Sequence, residues 1–65
     1  MMNIIREFSS ESAARQYRRD HGTGGWIFVP EDSGRVILFP PHMPPAHIFR
    51  HQITRGRSGN LIGSA

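Results

Sequence analysis

Arg15, Arg18 and Arg19 fall in one short stretch of this chain, and Arg55, Arg57 and Ser58 in another. Guanidinium groups stay charged at any working pH and hold carboxylates or phosphates through paired, fork-like hydrogen bonds. The chemistry these residues suggest is recognition of an anion. The run Thr54-Arg55-Gly56-Arg57-Ser58-Gly59-Asn60 joins guanidinium groups, backbone amides and a hydroxyl, as phosphate-contacting loops do. Both clusters belong to a set of eight basic residues, all arginine, and the formal net charge is +3. Codon usage in a GC-rich genome would also replace lysine by arginine, and the abundance of glycine and proline fits that origin. Positive charge favours acidic partners as a class, whether nucleic acid, a phosphorylated ligand or an acidic protein face.

Other chemistries find less support. A Walker-type phosphate loop requires a lysine, which the chain lacks. His47 and His51 lie four apart with His42 upstream, yet this segment holds no carboxylate or thiolate, and Arg50 would repel a cation. No metal and no cofactor is therefore expected. Glu7, Glu11, Asp20, Glu31 and Asp32 are scattered, and a core this small can hardly enclose a catalytic cleft. The residues thus predict a protein without enzymatic activity.

The elements that must carry the arginines can be read from local pattern. Asn3 to Phe8 is rich in strand-forming side chains. Ser9 or Ser10 suits a helix N-cap, Glu11 suits the first turn, and Gly22 suits a left-handed C-terminal cap, which predicts a helix over 10–21. On it Ala13, Ala14 and Tyr17 share an apolar stripe, with Arg15, Arg18 and Arg19 largely on the other side. Trp26-Ile27-Phe28-Val29 and Arg35-Val36-Ile37-Leu38-Phe39 are strand-like runs separated by the turn-forming Pro30-Glu31-Asp32-Ser33-Gly34, and together predict a hairpin. Prolines 40, 41, 44 and 45 stiffen the next segment, and Pro44 or Pro45 can open a short helix reaching about His51 with Ile48 buried. From Gln52 onward glycine and polar residues dominate. A loose tail is expected there, with docking of Ile53, Leu61 and Ile62 as a short edge strand as the alternative.

A chain of 65 residues makes one small domain, and surface scaling leaves such a domain burying only about 60% of the surface its unfolded form exposes. The expected architecture is α+β, in the order β-α-β-β. About three antiparallel or mixed strands would carry one helix on a face, with a short second helix beyond. The compact part would span 1–52 and a Gly/Arg/Ser-rich tail 53–65. One sheet face would stay open and apolar, inviting a partner or a homodimer.

The absence of cysteine and of any run long enough to span a bilayer points to the cytoplasm rather than a membrane. Met1 to Phe8 does not have the pattern of a secretory signal. The expected role is a small interaction protein that blocks or modulates a macromolecular partner, either a protein with an acidic surface or a nucleoprotein complex. Accessory proteins of phages and mobile elements, including inhibitors of host-defence effectors such as CRISPR systems, fit that description. A nucleic-acid-binding module using the same arginines is the second expectation, and a structural subunit of a larger assembly the third.

Overall fold

A computed structural model describes residues 5–22, 24–32 and 34–63. Asn3 and Ile4 of the expected first strand, Thr23, Ser33, Ser64 and Ala65 lie outside them. The elements in chain order are β1 Arg6–Phe8, α1 Glu11–His21, β2 Trp26–Pro30, β3 Val36–Phe39, α2 Pro45–Thr54 and β4 Gly59–Ile62.

Local chemistry explains the helix ends. Ser10 is extended at φ −153° and its Oγ accepts the Ala13 N–H at 3.1 Å, while Glu11 places negative charge in the first turn of α1. Gly22 closes α1 in the left-handed conformation at φ 60°, donating its N–H to the Arg18 carbonyl at 3.0 Å. In α2 no side chain caps the N-terminus, and Pro45 takes a first-turn position where the missing N–H costs nothing. The other end is a Schellman turn: Gly56 at φ 74° bonds the Ile53 carbonyl at 2.9 Å, and the Arg57 N–H bonds the Gln52 carbonyl at 2.9 Å.

Every strand pairing is antiparallel, in the order β1-β3-β2-β4. The hairpin β2–β3 is central, with Ile27 opposite Leu38 and Phe28 opposite Ile37. Alternate residues serve opposite faces, as the two-residue period of a strand requires. Ile27, Val36 and Leu38 pack with Ala14 of α1, whereas Phe28, Ile37 and Phe39 pack with Ile48 of α2. A helix on each face explains why both hairpin strands read as unbroken apolar runs rather than as alternating ones.

The hand of the fold follows from two contacts. Glu31 donates its N–H to the Ser58 carbonyl at 2.9 Å, so the odd-numbered residues of β2 turn their backbone groups toward β4. The same residues, Ile27 and Val29, point their side chains toward α1. For L-residues this combination makes the β1–α1–β2 crossover right-handed, the usual hand. The β3–α2–β4 crossover moves toward the same edge along strands of opposite direction. With the same hand it must place α2 on the far face, where Ile48 lies.

The α+β class stands, with four antiparallel strands where about three were expected, and two further expectations are corrected. The face expected to stay open is covered in part by α2. The expected tail supplies the end of α2 and the edge strand β4, in which Leu61 and Ile62 are half-buried against the two core clusters. Glycine content had argued for looseness there, yet Gly59 is a packing requirement: a Cβ at this position would land on the Val29 carbonyl oxygen and 2.8 Å from the Pro30 Cα.

One buried group lacks a partner. Gln52 is 2% exposed, and its Nε2 lies 3.3 Å from His51 Nδ1, but Oε1 has no hydrogen-bond partner among the described residues. Two substitutions test this packing by urea unfolding. Gly59→Ala is expected to detach β4 and cost about 1–3 kcal/mol. Gln52→Met, which removes the orphaned carbonyl at similar volume, is expected to stabilise by about 1 kcal/mol.

Candidate functional site

The arginines divide by what holds them. Arg6 lies over the Tyr17 ring at 4.9 Å from its centroid, and Tyr17 also meets Phe8 and stacks on His21. Arg15 pairs with Glu11 at 2.7 Å one turn back, and Arg35 with Glu7 at 3.1 Å. Both pairs are largely solvated, so each contributes at most about 0.5 kcal/mol, the lower part of the range for exposed ion pairs. Arg19, Arg50, Arg55 and Arg57 have no side-chain hydrogen bond or ion pair among the described residues.

Arg18 differs from the expected solvent-facing residue. Its Nη1 donates to the Gly25 carbonyl at 3.1 Å and to the Gly63 carbonyl at 2.8 Å, tying the last turn of α1 to the entry of β2 and the exit of β4. The helical stripe that predicted exposure counts side-chain type. It does not register that a long guanidinium stem can lie along the sheet and bring its head to two carbonyls at the rim.

Around this fixed side chain lies an open hollow of about 390 Å³ lined by Arg15, Arg18, Arg19, Gly22 and Gly24. The fold therefore brings together the three arginines of the first sequence cluster. Helix α1 supplies the spacing, and Gly22 in its left-handed turn, with Gly24 beyond it, forms the remaining wall. A carboxylate or phosphate entering it meets Arg19 free, Arg15 held by a solvated pair, and Arg18 already oriented.

The second cluster is not part of this site. Gly59, just beyond Arg57 and Ser58, pairs with Pro30 at the hairpin end of β2, whereas Arg18 reaches the Gly25 end. The clusters thus sit toward opposite ends of β2, the first on α1 and the second at the end of α2 on the other face. The backbone of the expected phosphate-contacting loop is also occupied where the arginines lie. The N–H groups of Arg55, Gly56 and Arg57 all bond α2 carbonyls, and the Ser58 carbonyl accepts from Glu31. A helix C-terminus with its amides engaged offers an anion no cradle beyond the guanidinium groups themselves.

His42, His47 and His51 are exposed, and no group of three or more His, Cys, Asp or Glu positioned to hold a metal exists among the described residues. Nor does any helix of the described residues have the length and apolarity to cross a membrane. No family model, curated protein or solved structure matches the chain.

Thermal unfolding separates the two roles found among the arginines. Arg18→Ala is expected to lower stability by about 1–2 kcal/mol, the scale of charge-assisted hydrogen bonds at a half-buried site. Arg19→Ala should stay within about 0.5 kcal/mol of the parent, as for surface positions generally.

Proposed function

We propose that this chain is a non-enzymatic interaction protein that seats an acidic patch of a protein partner in the arginine-lined hollow of α1, and blocks or modulates that partner by bulk and charge. The observation that carries this reading is the convergence of Arg15, Arg18 and Arg19 on one concavity, with Arg18 held in place by two backbone carbonyls. Preorganised guanidinium groups lose less side-chain entropy on binding than free ones, so a small protein can place its affinity there. Such a role suits an accessory protein of a phage or mobile element, including an inhibitor of a host-defence effector.

Direct binding to a nucleic-acid backbone uses the same residue type but needs a continuous basic track. The separation of the α1 cluster from Arg55 and Arg57 speaks against such a track. Fluorescence anisotropy with a labelled oligoglutamate peptide and with single- and double-stranded DNA and RNA, at low and at physiological salt of about 150 mM, tests the choice. Glutamate binding that survives physiological salt and is weakened at least tenfold by Arg15→Glu/Arg19→Glu is the expected outcome. Nucleic-acid binding that is tighter than peptide binding and falls steeply with salt would replace the protein-partner reading with a nucleic-acid module.

A further inference from the structure

The sheet has two edges, and they are treated differently. Edge strand β1 is three residues long and bears Arg6 and Glu7, features that discourage further pairing. Edge strand β4 reads Gly59-Asn60-Leu61-Ile62, with no charge, no proline and regular pairing to β2 along its whole length. Because the odd residues of β2 turn their backbone groups to β4, the pairs Val29–Asn60 and Ile27–Ile62 exchange the ladder hydrogen bonds. Gly59 and Leu61 then direct their N–H and C=O groups outward, away from the sheet.

The two faces beside this edge have opposite chemistry. In right-handed crossovers the helix flank turned toward β4 lies about 100–140° onward from the buried centre, one and five positions after a buried residue. Arg18, which spans to the Gly63 carbonyl, marks that flank of α1 directly. After the buried Ala14 the flank holds Arg15, paired with Glu11, and the free Arg19, a net positive charge; after the buried Ile48 of α2 it holds Phe49 and Ile53, which are 39% and 67% exposed. Leu61 is half-buried on the α2 side and Ile62 on the α1 side, so the core is unfinished on both faces at β4.

We infer that β4 is a strand-addition site for an extended peptide segment of a partner protein in which acidic and apolar side chains alternate. The added strand pairs with the outward backbone groups of Gly59 and Leu61. Its period of two sends one set of side chains to Arg15 and Arg19 and the other set to Leu61, Phe49 and Ile53. A second copy of this chain is the poorer occupant. Antiparallel β4–β4 pairing about a two-fold axis would set the Arg15 and Arg19 flank of one copy beside the same flank of the other, like charge against like. This inference rests on the acidic-partner reading above and adds to it the conformation and side-chain pattern of the segment bound.

The test uses the full chain labelled with ¹⁵N and a synthetic decapeptide alternating Glu and Val. Its controls are the same composition in blocks, Glu residues followed by Val residues, and the alternating peptide N-methylated at every second residue, prepared in both registers. Expected are binding of the alternating peptide, slowed hydrogen exchange at the Leu61 amide in the complex, and at least tenfold weaker binding of the block peptide and of one N-methylated register. Equal binding of alternating and block peptides, with shifts at Arg19, Gly22 and Gly24 and unchanged exchange at Leu61, overturns strand addition and leaves the acidic-partner reading standing. Absence of binding by any acidic peptide overturns both. A dimer in light scattering whose Leu61 amide is already protected without peptide assigns the edge to a second copy and also overturns the inference.

Discussion

Burial of the β2–β3 hairpin on both faces is the constraint on which the rest of this structure depends. Ile27 and Leu38 need a cover on one side, and Phe28, Ile37 and Phe39 on the other. The described residues hold only two helices with which to provide it. Right-handed crossovers leaving antiparallel strands in the same lateral direction place those helices on opposite faces without further instruction. The small Ala14 lets α1 approach one face closely, and Ile48 fills the other.

This economy has consequences for the surface. With each face given one helix, no element among the described residues covers the β4 edge, and β4 is left with outward backbone groups and half-buried side chains. The charged residues fill what the core does not use. Three arginines converge at the end of α1 because the helix must pass over the sheet at that point and then turn back through Gly22 into β2. The same passage makes Arg18 a structural clamp as well as part of the hollow. Fold and candidate site therefore share residues, as is common where a small domain has little interior to devote to either alone.

Much of the architecture was legible before any coordinates. The cap residues Ser10 and Gly22, the apolar runs after Gly25 and after Arg35, and the proline opening of α2 are local signals, and the elements formed where they lie. The C-terminal segment was harder to read. Glycine lowers strand propensity, and neither the tight approach of Gly59 to the Val29 carbonyl nor the Schellman turn at Gly56 leaves a mark that distinguishes them from flexible linker glycines. The second sequence cluster, Arg55, Arg57 and Ser58, looked like a phosphate loop by composition. The amides of Arg55 and Arg57 proved to be engaged because a helix ends there, which composition does not reveal.

By itself the sequence determined where the helices and strands before the C-terminal segment lie and that the positive charge of the chain is carried by arginine, since each depends on neighbours along the chain or on simple counting. Only the tertiary structure decided which arginines share a site, which one is held by backbone carbonyls, and which strand edge stands open between a basic flank and an apolar one. Those relations join residues far apart in sequence, such as Arg18 with Gly63 and Pro30 with Gly59. They arise from strand order and crossover hand, which no local propensity encodes.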